Sequence, residues 1–140
     1  MTTPNPLLES SALPRFSAIK PEHVEPAVDA VLADDRARID ALLASDAPRD
    51  FASVVLLGEE LEDRLSRVWA PVSHLHGVAD SEALRKAYSA AQEKIVEHAS
   101  ELGQNRELYA AVKAVADAHD TAALPRAART LVEHELRDFR

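Results

Sequence analysis

Val68-Trp69-Ala70-Pro71-Val72-Ser73-His74-Leu75-His76 lies at the middle of the chain and sets its fold class. It holds the single tryptophan and a proline inserted into an otherwise helical pattern. Upstream, Phe51, Val54, Val55, Leu61, Leu65, Val68 and Trp69 recur at steps of three and four, and Val72 and Leu75 carry the same stripe past Pro71. A proline removes one backbone hydrogen bond and crowds the preceding turn, so a kink or a short break is expected near Ala70. A stripe this apolar must be buried against neighbouring helices. Trp69, on that stripe, is expected to be buried or mostly so, and Trp69, Pro71 and His74 are read as structural residues.

Working outward, the same periodicity gives further helices. Pro21 and Pro26 both suit a first turn, so a short turn is expected before the first helix proper, with Glu22 and Glu25 at its positive end. Its inward stripe is Val24, Val28, Val31, Leu32, Ile39, Leu42 and Leu43, fading at Ser45-Asp46-Ala47-Pro48. Asp50 is a good N-cap for the central helix, which is expected to run from about Phe51, through the kink at Pro71, to a C′ glycine at Gly77. Asp80 or Ser81 caps a third helix with Leu84, Ala87, Tyr88, Ala91, Ile95 and Leu102 inward, closed by Gly103 in the same manner. Asn105 caps a fourth bearing Leu108, Val112, Val115 and Ala116. A fifth begins near Leu124 or Pro125 and carries Ala128, Leu131, Val132 and Phe139, with no Gly, Asn or Pro to terminate it before Arg140.

The expected fold is therefore all-α, a helical bundle of about five antiparallel helices joined by short connections. Residues 1–20, with Pro4, Pro6 and Pro14, read as an extended arm pinned to the helices by Leu7, Leu8, Leu13, Phe16 and Ile19. Residues 21–140 form the helical domain.

Composition narrows the function classes. Apolar residues make up 46% and aromatics 4%, so the core must be built mainly from Ala, Leu and Val. Twenty-four acidic against sixteen basic residues give a formal charge of −8. That balance argues against a nucleic-acid partner, whose phosphates need a basic patch. No run approaches the ~20 apolar residues of a membrane span. The first nine residues lack the basic and apolar regions of a signal peptide, and there is no cysteine, so the cytoplasm is the expected compartment.

Candidate chemistry is sparse. His74 and His76 stand about 200° apart on a helix and cannot chelate one ion there, so one is expected to pack near Trp69 and the other to face water. His134-Glu135-Leu136-Arg137-Asp138 is one residue short of H-E-x-x-H, in which two histidines at i and i+4 bind zinc and the glutamate acts as general base. Here Asp138 replaces the second histidine and no third ligand is recognisable, so the string reads as a charged, solvated helix face. Glu93, Glu97 and Glu101, with Lys94 and His98 interleaved, read as solvent-facing charges. No nucleophile elbow, P-loop or dinucleotide fingerprint occurs.

Several strings together carry a resemblance. Asn5-Pro6-Leu7-Leu8 is followed by Leu13-Pro14-Arg15-Phe16-Ser17-Ala18-Ile19-Lys20-Pro21-Glu22-His23-Val24-Glu25-Pro26-Ala27-Val28, then by Pro71-Val72-Ser73-His74-Leu75 and Leu136-Arg137-Asp138-Phe139. In this order and spacing the chain resembles the N-terminal region of the oligopeptidase A group, in the thimet-oligopeptidase family of zinc metallopeptidases. The resemblance implies a peptidase that cleaves short peptides in a channel between two largely helical halves, with these helices in one wall. It also implies a zinc site in the C-terminal half, beyond this sequence, so no catalytic or metal residue and no cofactor is expected here. The partners implied are that missing catalytic region and, for the full-length protein, short peptides. The isolated chain is expected to be inactive, and to self-associate through the surface left open. The competing expectation is a free-standing helical interaction module without catalytic activity.

Overall fold

The structure is a computed structural model and describes residues 4–139. Among these residues there are five α-helices and no strand. They are α1 (Pro21–Ala44), α2 (Leu56–Val78), α3 (Glu82–Gly103), α4 (Arg106–Asp117) and α5 (Arg126–Asp138). Short 3-10 turns occupy Phe16–Ala18 and His119–Ala123, and a π turn, Phe51–Val55, leads into α2. The sequence readings at Met1, Thr2, Thr3 and Arg140 lie outside the described residues. No helix among the described residues is long and apolar enough to cross a membrane.

The chain divides into two compact units. The first comprises residues 1–34 and 63–97. Its core is made of small apolar side chains: Leu7, Val24, Ala27, Val28, Val31 and Leu32, with Val68, Val72, Leu84, Ala87 and Ala91. Ile19, Leu65, Trp69, Leu75, Tyr88 and Ile95 pack around it, partly buried. Lys94 of α3 bridges Glu25 and Asp29 of α1 at 3.2 and 2.8 Å, and Arg64 of α2 pairs with Asp34. The arm is held by fewer side chains than expected. Leu7 is buried and Ile19 partly so, while Leu8, Leu13 and Phe16 remain exposed. Its polar anchor is Asn5, whose Nδ2 donates to the His23 carbonyl at 2.8 Å while its Oδ1 accepts the Leu7 amide at 3.0 Å.

The second unit comprises residues 35–62 and 98–140. Leu42, Val54, Val55, Ala111, Val112, Val115 and Val132 form its core, with Leu43, Phe51, Leu57, Leu108, Leu131, Leu136 and Phe139 packed against it. The Arg49 guanidinium donates to the carbonyls of Leu43 and Ser45 at 3.2 and 3.1 Å, satisfying acceptors that the end of α1 leaves open.

Caps were legible, and helix interiors less so. Asp50 Oδ1 accepts the Ser53 amide at 2.8 Å and Ser53 Oγ accepts the Asp50 amide at 3.1 Å, a reciprocal capping box. Ser81, of the two candidates, caps α3 through the Leu84 amide, and Asn105 caps α4 through the Leu108 amide. Of the kink or short break expected near Ala70, the break is absent, because α2 runs on through Pro71 as a single helix. Val68 and Val72 are buried on either side of the proline, and their burial opposes the roughly 3 kcal/mol that a proline costs inside a helix. The separate turn expected before the first helix is likewise absent, since α1 begins at Pro21 and contains Pro26. Neither Gly77 nor Gly103 takes the left-handed conformation expected of a C′ residue. Gly103 answers to packing instead: a Cβ there would lie 3.2 Å from the Asp138 carbonyl oxygen.

Candidate functional site

Aromatic rings gather in the first unit. Trp69 stacks on Tyr88 with centroids 4.7 Å apart, and His76 stacks on the same tyrosine at 4.1 Å. Trp69, Tyr88 and His76 are all partly buried. His74 sits at the surface, its ring 5.2 Å from Phe16. Of the two histidines, His76 thus joins the stack that contains Trp69, and His74 lies against the arm. Pro71 is buried in the interior of α2. Trp69, expected to be buried or mostly so, is partly buried and packs against the core of the first unit. These rings fasten α2 to α3, and none is arranged as a nucleophile, acid or base.

In the second unit, Asp35 and His98 are the buried polar residues, at 2% and 3% exposure. His98 Nε2 lies 3.8 Å from Asp35 Oδ2, and its Nδ1 lies 3.8 Å from Glu101 Oε2. Arg36 Nε donates to that same Glu101 oxygen at 2.9 Å. Burial holds the His98 pKa below the ordinary value near 6.5, and the Arg36 charge adds to the effect, with Glu101 opposing both. The sequence reading missed both residues. A signal was available, since His98 continues the inward spacing Ala91, Ile95, and Asp35 falls between Val31 and Ile39. Glu93, Glu97 and Glu101 do face solvent as read.

A histidine with a depressed folded pKa gives the sign of one pH effect. Below about pH 6.5 the unfolded chain binds a proton that the folded chain refuses, so this contribution to stability is complete above that pH. It is lost as pH falls from 6.5 toward the folded value. The urea midpoint should accordingly drop on acidification through this window more steeply in the wild type than in His98→Gln. Equal slopes would show that His98 is not desolvated.

His134 and Asp138 stand one turn apart on α5, both exposed, while Glu135 between them is partly buried. Zinc catalysis needs three protein ligands. Among the described residues no three His, Cys, Asp or Glu side chains come together as a metal-binding group. A cleft of about 440 Å³ in the second unit is lined by Ala116, Thr121, Val132 and Leu136 together with Asp117 and Arg129.

With catalytic geometry absent from both units as described, sequence comparison carries the assignment. The Neurolysin/Thimet oligopeptidase N-terminal domain matches residues 28–140. The chain belongs to that family. It is 42% identical to Oligopeptidase A of Salmonella typhimurium over 135 residues, covering 96% of this chain and 20% of that protein. It is 39% identical to Oligopeptidase A of Haemophilus influenzae over 140 residues, covering 99% and 20%. Dipeptidyl carboxypeptidase of Escherichia coli is more distant, at 29% over 137 residues. The chain therefore spans about a fifth of the length of the curated relatives that it matches. The resemblance read from Asn5 to Phe139 and the all-α class both stand.

Proposed function

We propose that this chain is the N-terminal helical domain of a zinc-dependent, cytoplasmic oligopeptidase that hydrolyses short peptides, and that its helices form part of the substrate-channel wall. The observation that carries this reading is the match of residues 28–140 to the N-terminal domain of the neurolysin/thimet oligopeptidase family. The names of the relatives at 42% and 39% identity support the peptidase class. On this reading residues 1–20 serve as an arm on the helical domain of residues 21–140, and Trp69, Pro71 and His74 have structural roles. Zinc and its ligands belong to a catalytic region outside this sequence. That region is also the natural cover for exposed apolar side chains such as Val78, Val96 and Tyr109, through which the isolated chain would self-associate.

The test is direct. Incubated with short peptides and added zinc, the purified chain should cleave nothing and should lose the metal on dialysis. Stoichiometric retained zinc with chelator-sensitive cleavage, abolished in His134→Ala, would overturn the assignment of catalysis to another region. The reading frame supplies the complementary test. Continuation past Arg140 to an H-E-x-x-H helix is the expected result, and a stop codon there would favour the free-standing interaction module.

A further inference from the structure

Glu135 projects from α5 toward the start of α2. Its carboxylate oxygens lie 3.5 and 3.7 Å from where a Cβ on Gly58 would stand, so the carboxyl group rests over the glycine. The charges that act on it are all of its own sign: Glu59 and Glu62 from α2, and Asp138 from its own helix. The other elements against α5 contribute apolar core residues, Val54 and Val55 from the π turn and Ala111, Val112 and Val115 from α4. Lys113 of α4 pairs with Asp117 at 3.0 Å. Among the described residues Glu135 has neither an ion pair nor a hydrogen bond, in contrast to Glu101, which holds Arg36.

A partly buried carboxylate ringed by three others is unfavourable as an anion and acceptable as an acid. We propose that Glu135 is a proton-operated latch on α5: protonated, it lies neutral over Gly58; ionised, it is repelled by Glu59, Glu62 and Asp138 and loosens the helix from the π turn and α2. Burial, then Glu59, Asp138 and Glu62, push its pKa up to about 7. The folded value lies above the unfolded one, near 4.5. The stabilising contribution is therefore complete below pH 4.5 and is lost as pH rises through about 7. This places the response in the range where cells regulate pH, and opposite in sign to that of His98. The latch concerns packing within this chain and stands whether or not the peptidase reading holds.

The experiment is hydrogen exchange of the α5 amides at about pH 6 and about pH 8, corrected for the intrinsic exchange rate, with the Tyr109–Phe139 ring contact followed by NMR as a second reporter of docking. That contact is edge-on at 5.5 Å. Protection should fall several-fold between the two pH values in the wild type and stay level in Glu135→Gln. Equal protection at both pH values in the wild type, or the same fall in the variant, would overturn the proposal. Should Glu135→Gln fail to fold, the carboxyl-carbon titration of Glu135 in the wild type decides alone. A midpoint near 7, shifted down in Glu62→Gln, supports the latch, and a midpoint near 4.5 rejects it.

Discussion

Replacing Leu32 with alanine should destabilise the first unit by roughly 3 kcal/mol. Leu32 is 2% exposed and belongs to the cluster formed by Val28, Val68, Val72 and Leu84. Alanine is the best helix former, so the change costs nothing in propensity along α1 and the loss measures packing alone. The transfer of three carbons out of an apolar environment accounts for about half, and the cavity left among stiff β-branched neighbours for the rest. Valines have one strongly preferred rotamer in a helix and cannot swing to refill the space. Leu8→Ala is the matched control, because Leu8 is 47% exposed and its loss should stay within about 0.5 kcal/mol. Urea unfolding followed by circular dichroism measures both. A Leu32→Ala cost below about 1 kcal/mol would mean that this cluster does not carry the fold.

That contrast marks what the amino-acid pattern could and could not reveal. Leu32 and Leu8 are the same residue type, and only periodicity separates them. Leu32 stands at a step of four from Val28, whereas Leu8 belongs to a proline-marked arm without a period. The helices and their inward faces were therefore readable, as were the caps at Asp50, Ser81 and Asn105, whose side chains act within three residues. The choice between a kink and a short break at Pro71 was not. The local penalty of proline is visible in the sequence, while the opposing burial of Val68 and Val72 depends on partners distant along the chain. The same holds for His98. Its charge class suggested solvent, and only the partner face supplying Asp35 makes its burial intelligible. The spacing of Glu135 between His134 and Asp138 marks a charged, solvated face in the sequence. The bare backbone of Gly58, which gives its carboxyl group somewhere to lie, sits far away in sequence. Functional assignment was legible through the strings resembling the peptidase family.

Trp69→Ala should cost roughly 2–3 kcal/mol. Its place on the stripe with Leu65, Val68 and Val72 alone would suggest 3–5 kcal/mol, the range for a fully buried tryptophan. Partial exposure lowers the figure, since part of the indole already meets water in the folded state. What remains is the apolar contact with the core of the first unit and the stack on Tyr88 at 4.7 Å. Offset stacks of this kind contribute about 1 kcal/mol beyond their buried area. A double-mutant cycle isolates that share: Trp69→Ala and Tyr88→Ala together should cost about 1 kcal/mol less than the sum of the single changes. His76 also stacks on Tyr88, so Tyr88→Ala releases His76 as well, and the cycle should be repeated in His76→Ala to separate the two contacts. Trp69 is the single tryptophan, and its fluorescence reports the stack without a label. Tyr88→Ala should therefore alter its emission while Tyr109→Ala leaves it unchanged. Additive costs in the cycle, with emission insensitive to Tyr88, would show that the rings are neighbours without energetic coupling, and the fastening of α2 to α3 would then rest on the valine core alone.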